Sequence, residues 1–204
     1  MKKIKKEYYF IAVLLICFTF LTLFVAFGKL DAFDKKIFDL IIKGKSIPLT
    51  TILRIITHMA STIGIISLVI LTGIVFYKKK ILSYFKYVVI NVLTGTLLME
   101  IIKHIIKRVR PEWKWIRQGG FSYPSGHTIS AMLLYGTLML LIYKKVKGKY
   151  RKPLLICFGL MILLTGISRI YFGAHYVTDV VASLILGTII LLITNLIINK
   201  KENK

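Results

Sequence analysis

The chain has 204 residues, and 56% of them are hydrophobic. Its 30 Lys and Arg residues outnumber its 8 Asp and Glu residues, which gives a formal net charge of +22. In a soluble chain this charge would suggest nucleic-acid binding, but here the basic residues lie in short stretches between long apolar runs. Cys17 and Cys157 both lie inside apolar runs, which excludes a disulfide framework and a cysteine metal site. The composition therefore predicts a membrane protein whose partner is the lipid bilayer and not nucleic acid.

Six apolar segments are long enough to cross a bilayer, because a helix needs roughly 20 mostly apolar residues to span about 30 Å of hydrocarbon. The first is too long for a signal-peptide core and no small-residue cleavage site follows it, so we expect an uncleaved span. The third is the least apolar and contains Asn91 and Glu100, and the fifth opens on Pro153. The predicted spans are residues 8–28, 52–77, 81–102, 125–143, 153–172 and 178–198.

The basic residues between the spans predict the orientation. The lysines of both termini and the basic residues of 78–80 and 144–152 fall on one side, which the positive-inside rule makes cytoplasmic. The opposite loops, 29–51, 103–124 and 173–177, also carry Lys and Arg, which weakens the contrast. We therefore expect a multi-pass protein of the plasma membrane with both termini in the cytoplasm.

The segment 29–51 is long for a connection and mixes acidic residues such as Asp31 and Asp34 with Lys35 and Phe38. This mixture predicts an amphipathic helix lying at the membrane interface, without indicating its role. The chain shows no internal repeat and no low-complexity tract. We therefore expect residues 1–204 to form one integral-membrane, all-α domain.

Three clusters of polar residues interrupt the apolar pattern. They lie at the end of the third span, at the start of the fourth, and on both sides of the turn between the fifth and sixth. Because successive spans alternate in direction, all three clusters reach the same, extracytoplasmic face and can converge on one pocket. The clusters are Lys103 with Arg110 and Pro111, then residues 124–127 (Pro-Ser-Gly-His), then Ser168 and Arg169 with His175 and Asp179.

His175 and Asp179 are four residues apart, so on a helix they share a face. A carboxylate bonded to one imidazole nitrogen fixes the tautomer and leaves the other nitrogen free to attack. The alternative for Asp179 is a helix-start carboxylate that only complements the helix dipole. His127, at the start of the fourth span, is placed to protonate a leaving oxygen. His58 and His104 are interpreted as interface histidines without a function.

Lys103, Arg110 and Arg169 supply three positive charges to the same face. A phosphoryl group in transfer spreads negative charge over its oxygens, and fixed cations stabilise that state. Ser125 is placed to cap the fourth helix, and Gly126 lets the backbone approach an anion at the helix start. Each cation alone is more simply a snorkelling side chain, but the whole set on one face favours a phosphate site.

At these residues the sequence resembles the type 2 phosphatidic acid phosphatase superfamily. The family signature is Lys-x6-Arg-Pro, then Pro-Ser-Gly-His, then Ser-Arg-x5-His-x3-Asp, and every position of it is matched within residues 103–179. The resemblance implies a metal-independent phosphatase that works through a phosphohistidine.

The resemblance also implies a role for each residue of the signature. His175 would be the nucleophile, Asp179 its orienting partner and His127 the general acid. No metal or cofactor is expected, because Asp179 is the only carboxylate of the signature and the neighbouring Glu112 alone is a poor site for a hard cation. The residues expected to hold phosphate are Lys103, Arg110, Ser125, Gly126 and Arg169.

The expected activity is hydrolysis of a phosphomonoester or pyrophosphate on a lipid headgroup. Small bacterial members of the family act on phosphatidylglycerophosphate, phosphatidic acid or undecaprenyl pyrophosphate, and the sequence does not choose among them. No obligate protein partner is expected. Two alternatives remain: a vanadium haloperoxidase-like enzyme, which the six apolar spans disfavour, and a non-catalytic lipid-binding or transport protein, which the intact set of catalytic residue types disfavours.

Overall fold

The computed structural model describes residues 2–202 of the chain, with side chains from Lys6 to Lys201. The described part contains helices and no strands, which confirms the predicted all-α class. A short 3₁₀ turn, Leu82–Tyr84, precedes the fifth helix. The α-helices are α1 (Lys2–Ala26), α2 (Asp31–Ile42), α3 (Ile47–Met59), α4 (Thr62–Lys78), α5 (Phe85–Ile106), α6 (Gly126–Lys145), α7 (Arg151–Tyr171) and α8 (Val177–Glu202).

Five of the described helices, α1 and α5 to α8, are long and apolar enough to cross a membrane. Helices α3 and α4 pass the same test only as a pair, and they meet at an angle of 63°. The protein is therefore a polytopic helical bundle with five spans, or six if the bent pair counts as one. The prediction of about six spans is confirmed.

The prediction that 52–77 forms one continuous helix is wrong. The helix breaks at Ala60 and Ser61, where Ser61 adopts an extended conformation and its hydroxyl accepts a hydrogen bond from the Gly64 amide, 3.2 Å away. Gly64 packs directly on the last carbonyl groups of α3, and a Cβ atom there would overlap the carbonyl of Met59. The break therefore depends on a serine cap and a glycine contact that leave the hydropathy of the segment unchanged.

Helix α6 lies at the centre of the bundle and packs against α5, α7 and α8. Its side chains Ile129, Leu133 and Leu134 are fully buried. A polar cluster crosses this apolar interior: Asn91 of α5 donates to Thr137 of α6 at 2.7 Å and accepts from Thr194 of α8 at 2.7 Å. Such hydrogen bonds hold helices together where the surroundings offer no water. The polar residue of the predicted third span is thus an interhelical contact.

The segment 29–51 contains α2, as the amphipathic pattern predicted, and α2 packs against α7 and α8. Its buried face carries Phe38 and, unexpectedly, the carboxylate of Asp34, which is 1% exposed. A buried carboxylate requires partners, because an unpaired charge away from water is strongly unfavourable. Those partners belong to the candidate active site.

Candidate active site

The three polar clusters meet at one end of the bundle, where α5 and α7 end and α6 and α8 begin. Arg110 Nη1 donates to the carbonyl of Ala174 at 2.7 Å, which joins the first cluster to the third. The amide of Ser125 donates to the carbonyl of Asp179 at 3.3 Å, which joins the second to the third. The convergence predicted from alternating span direction is therefore present in the structure.

The turn between α7 and α8 is shaped by Gly173. Its φ of +62° lies in the left-handed region, and a Cβ atom there would come within 2.9 Å of the Cα atom of Lys114. This approach lets the loop before α6 cover the turn: the amide of Trp115 donates to Phe172 O at 3.3 Å, and its indole donates to Tyr171 O at 2.9 Å. The glycine thus holds the two segments that carry the first and third clusters in contact.

His175 is 2% exposed, and both of its ring nitrogens have a partner. Nδ1 lies 2.8 Å from the carbonyl oxygen of Ser122, which can only accept, so Nδ1 carries the proton. Nε2 lies 3.0 Å from Nη1 of Arg110, which can only donate, so Nε2 presents its lone pair. The surroundings therefore select one tautomer, in which Nε2 is the nitrogen available for nucleophilic attack.

Burial lowers the pKa of His175 to about 4, and the charges of Arg169 and Arg110 act in the same direction. The negative charge of Asp179, whose Oδ2 lies 3.4 Å from Nδ1, opposes this shift. The net result is an uncharged imidazole at neutral pH, which is the form that a nucleophile requires.

Asp179 lies close to His175, as predicted, but the predicted reason, a shared helix face, is wrong. His175 lies in the turn before α8, so the two residues do not share a helix face. Asp179 Oδ2 is 3.4 Å from His175 Nδ1, farther than the carbonyl of Ser122. The hydroxyl of Ser122 donates a short hydrogen bond to the same carboxylate oxygen. Asp179 therefore acts on His175 both directly and through Ser122, a residue that sequence reasoning missed.

Arg110 is 6% exposed and donates to His175 and to carbonyl groups of the loop before α6. Nε lies 2.9 Å from Gly119 O and 3.0 Å from Gly120 O, and Nη2 lies 3.1 Å from Phe121 O. Burial lowers the pKa of Arg110, and the negative charge of Asp179 opposes the shift. Among the described residues no carboxylate forms an ion pair with this guanidinium.

Arg169 is the second buried guanidinium, with 1% exposure. Nη1 donates to the hydroxyl of Thr57 at 2.6 Å, and Nη2 donates to Oε1 of Gln118 at 2.9 Å. Its Nε has no partner, and no carboxylate within the described part of the chain forms an ion pair with it. Two buried cations without carboxylate partners are suited to bind an anion, because buried charges are normally paired.

Lys103 and Gly126 border the same space. Nζ of Lys103 pairs with Glu100 Oε1 at 3.4 Å and lies 3.7 Å from where a Cβ atom on Gly126 would be. Helix α6 begins at Gly126, so the N–H groups of its first turn have no acceptor within the helix and can bind an anion. His127 lies in that turn, close enough for the charges of Arg169 and Arg110 to act on it.

Ser125 occupies the predicted position before α6, but its predicted capping role is wrong. Its hydroxyl makes no bond to a helix N–H and instead pairs with the hydroxyl of Thr128 at 2.9 Å. Its carbonyl accepts from the hydroxyl of Ser183 at 3.0 Å, which anchors the turn to α8. Ser125 is fully buried, so in the structure it contributes to the packing of the turn.

Arg108 is the principal residue of the site that the signature does not contain. Nη1 donates to Asp179 Oδ1 at 2.8 Å, and Nη2 donates to Asp31 Oδ1 and Asp34 Oδ2, each at 2.8 Å. Its guanidinium also stacks over the ring of Tyr176, 3.7 Å from the centroid. Burial disfavours its charge, but the three carboxylates prevail and raise the pKa of Arg108. Unlike Arg110 and Arg169, this cation is fully paired.

Asp34 extends the network of Arg108 from α2 to α8. Its Oδ1 accepts from the amide of Thr178 at 3.0 Å, and its Oδ2 accepts from the hydroxyl of Thr178 at 2.7 Å. The start of α2 is thereby fixed to the first turn of α8, one residue from Asp179. The segment 29–51, whose role the sequence did not indicate, thus supplies a buried acid that supports the site.

A cavity of about 510 Å³ opens beside the buried cations. His127 and Arg169 line it, together with Arg54, His58 and Arg117, which lie outside the signature. Within the described residues no group of three His, Cys, Asp or Glu side chains is arranged to hold a metal ion. Metal-free chemistry therefore stays a prediction for experiment.

Comparison with known proteins places the chain in a family. The sequence profile of the PAP2 superfamily matches residues 83–203. The chain is 32% identical to phosphatidylglycerophosphatase B of Bacillus subtilis (strain 168) over 140 residues, which cover 66% of this chain and 68% of that protein. It is 34% identical to phosphatidylglycerophosphatase B of Haemophilus influenzae over 104 residues, which cover 47% of this chain and 42% of that protein.

Two solved structures share the fold. The transmembrane PAP2-type phosphatidylglycerolphosphate phosphatase from Bacillus subtilis superposes with a TM-score of 0.81 at 27% identity, covering 94% of this chain and 96% of that one. LpxE of Aquifex aeolicus superposes with a TM-score of 0.63, covering 79% of this chain and 93% of that one, and at 23% identity this shows the fold alone.

Fold, site and relatives together define an integral-membrane lipid phosphatase. The chain belongs to the PAP2 superfamily. The resemblance stated from the three sequence clusters is confirmed.

Proposed function

We propose that the protein hydrolyses the terminal phosphate of a lipid headgroup through a covalent intermediate on His175. One observation carries the proposal: the uncharged Nε2 of His175 lies beside two buried guanidinium groups, Arg110 and Arg169, that lack a carboxylate partner. A phosphate group would pair with both guanidinium groups and present its phosphorus to the nucleophile.

When the substrate binds, Arg110 exchanges one hydrogen-bond partner, His175, for a phosphate oxygen. A phosphate oxygen is a charged acceptor and forms stronger hydrogen bonds than a neutral imidazole does. We infer that the substrate draws Nη1 of Arg110 away from His175 Nε2, which frees the lone pair as phosphorus arrives. Lys103, Arg169 and the N–H groups at the start of α6 complete the anion site.

In the first displacement, Nε2 of His175 forms a bond to phosphorus while the bond from phosphorus to the lipid oxygen breaks. The negative charge of the bound phosphate favours a proton on His127, and this imidazolium transfers its proton to the lipid oxygen, so the lipid leaves as a neutral alcohol or as a lipid monophosphate. The phosphorylated ring of His175 becomes cationic. The carbonyl of Ser122 and the carboxylate of Asp179 stabilise that cation from the Nδ1 side.

In the second displacement, a water molecule attacks phosphorus and the bond to Nε2 breaks. The now neutral His127 accepts the proton of this water, which restores its imidazolium form and releases inorganic phosphate. Arg108 has a supporting role. It is not part of the anion site but holds Asp179 in place through a 2.8 Å ion pair.

The relatives indicate which substrate to test first. The matched proteins from Bacillus subtilis and Haemophilus influenzae are named phosphatidylglycerophosphatase B. We propose phosphatidylglycerophosphate as the substrate of this chain, at an active site on the extracytoplasmic side of the plasma membrane. The basic residues of 78–80 and 144–152, which lie between predicted spans, support this orientation.

The proposal is tested by phosphate release in detergent micelles from phosphatidylglycerophosphate, phosphatidic acid and undecaprenyl pyrophosphate. We expect wild-type turnover that EDTA does not abolish, and none from His175→Ala. His104→Ala is the matched control, because His104 is exposed and lies outside the site. Wild-type activity in His175→Ala would contradict the proposal, and so would an EDTA loss that magnesium restores.

A further inference from the structure

The cavity beside the catalytic residues is larger than one phosphoryl group requires. Its volume is about 510 Å³, whereas one water molecule occupies about 30 Å³ in the liquid. His127 and Arg169, which belong to the proposed phosphate site, line this cavity together with Arg54 and Arg117. A ligand held by His127 and Arg169 therefore shares this cavity with two further arginines.

Helix α3 places one arginine in this cavity. Arg54, Thr57 and His58 have the i, i+3, i+4 spacing of a single helix face, and all three line the cavity. Thr57 on this face accepts the hydrogen bond from the catalytic-site Arg169. Arg54 therefore lies one helical turn from a direct partner of the phosphate-binding machinery.

The loop before α6 supplies the second arginine. Arg117 precedes Gln118, whose side chain accepts the other hydrogen bond from Arg169. Arg54 and Arg117 thus each lie close in the chain to one of the two partners of Arg169. Both side chains are exposed, and neither forms a hydrogen bond or an ion pair with another described residue. Two guanidinium groups are therefore available to a ligand in the cavity.

The rest of the lining also favours an anion. No Asp or Glu lines the cavity among the described residues. Helix α4, 17 residues long, begins there, and Ser61 caps only the amide of Gly64. The amides of Thr62 and Ile63 therefore lack acceptors within the helix, at its positive end. The break between α3 and α4 therefore places two N–H donors in the lining of the same cavity as the two arginines.

We propose that this cavity binds a second phosphate of the same lipid substrate, with Arg54 and Arg117 as its ligands. The inference rests on the proposed function, in which the first phosphate reacts at His175. It makes the protein selective for lipids whose headgroup carries two phosphates, either a phosphodiester beside the terminal phosphate or a diphosphate. Phosphatidic acid, with one phosphate, leaves this subsite empty.

The test compares Arg54→Gln, Arg117→Gln and the double variant on three lipids in neutral detergent micelles: phosphatidylglycerophosphate, a polyprenyl diphosphate and phosphatidic acid. Because each hydrogen bond to a charged group contributes roughly tenfold or more, we expect the double variant to lose about 100-fold or more in kcat/KM on a two-phosphate lipid. The loss should lie mainly in KM, since the second phosphate is bound equally before and during reaction. Activity on phosphatidic acid should stay within about threefold of wild type.

Lys43→Gln is the matched control, because it removes one exposed positive charge from the segment before α3 without touching the cavity. A loss confined to phosphatidylglycerophosphate assigns the subsite to a phosphodiester, and a loss confined to the diphosphate assigns it to an adjacent phosphate. Equal losses on all three lipids, or no loss on any, would overturn the subsite.

Two further variants keep these outcomes separable. Arg54→Lys and Arg117→Lys replace the glutamine variants if those fail to fold. They retain the positive charge, so they should show a smaller loss of kcat/KM with the same dependence on substrate. His175→Ala reports on the proposed function itself. If it is inactive on every lipid while the arginine variants are unselective, the subsite fails and the phosphatase proposal stands.

Discussion

His175 shows how neighbouring groups, more than the residue itself, define a nucleophile. Its signature position says nothing about which ring nitrogen reacts. The carbonyl of Ser122 and the guanidinium of Arg110 decide this, because one group can only accept and the other can only donate. The resulting lone pair on Nε2 faces the cations that would hold phosphate.

The first residue-scale prediction concerns the protonation of His175. Since burial lowers its pKa to about 4, we expect the ring to stay neutral, with the proton on Nδ1, from pH 7 down to about pH 5. Nitrogen NMR of histidine-labelled protein in micelles measures this directly, with the His175→Ala spectrum providing the assignment. Titration near the ordinary value of about 6.5 would show that the buried environment does not control this group.

The second residue-scale prediction concerns Arg108. In Arg108→Gln, Asp179 loses a 2.8 Å cationic partner, so its negative charge acts more fully on His175 and raises the pKa of that ring. We expect the acid limb of the kcat/KM profile to move to higher pH. We also expect kcat to fall by up to about 100-fold, as a misplacement of about 1 Å can cause, with little change in KM.

Lys36→Gln, an exposed change on α2, is the control for Arg108. A purely structural role for Arg108 would lower the amount of folded protein and leave the pH profile of the remaining enzyme in place. An unchanged acid limb in folded Arg108→Gln would therefore rule out the positioning role.

At the scale of elements, the break between α3 and α4 shapes the site. It lets α3 lie across the end of α7, where Thr57 reaches Arg169, and it places the start of α4 at the cavity. The close contact at Gly64 makes this geometry possible. One straight helix over 52–77 would remove both the contact of Thr57 with Arg169 and the helix start at the cavity.

We predict that Gly64→Ala destabilises the protein, because the added Cβ overlaps the carbonyl of Met59. Overpacking of this kind costs about 1–3 kcal/mol, and it should lower the thermal midpoint in detergent together with the phosphatase activity. Gly159→Ala in α7 is the matched control, since its Cβ would have 3.9 Å to its nearest neighbour. The control should be neutral or stabilised by up to about 1 kcal/mol. Equal midpoints for both variants would contradict the role of Gly64.

Sequence reasoning recovered the elements whose signal is local and missed those that depend on distant contacts. The helices and the residues from Lys103 to Asp179 follow from hydropathy, spacing and residue chemistry. The pairing of Arg108 with Asp34 joins residues 74 positions apart, and no periodicity encodes it. Ser122 acts through its carbonyl as well as its hydroxyl, and every residue type carries a carbonyl. These contacts become visible only when the chain is folded.

At the scale of the whole molecule, alternating span direction brings the ends of α5, α6, α7 and α8 together. Among the described residues, Arg110 and Arg169 are buried there without a carboxylate partner, whereas Arg108 pairs with three carboxylates. Arg108 supports the carboxylate of Asp179, whereas Arg110 and Arg169 have only neutral hydrogen-bond partners among the described residues and are suited to bind phosphate. The central helix α6 fixes the distances between these groups through its fully buried residues.

The orientation of the molecule is a separate prediction. The positive-inside rule places the loop of residues 146–150 in the cytoplasm and the segment before α3 outside. In cells that produce a chain without Cys17 and Cys157, an impermeant maleimide should label Lys43→Cys without permeabilisation. Lys149→Cys should be labelled only after permeabilisation. The reverse pattern would place the active site in the cytoplasm.

The most direct test of the central claim is to trap phosphate on His175. In His127→Ala a nitrophenyl phosphate ester can still phosphorylate the enzyme, because its leaving group needs no proton, whereas attack by water has lost its base and slows by roughly 10²–10⁴-fold. Mass spectrometry of the quenched protein should then find one acid-labile phosphoryl group on His175. Nitrophenol release without phosphoryl on His175, or with phosphoryl on another residue, would contradict the account.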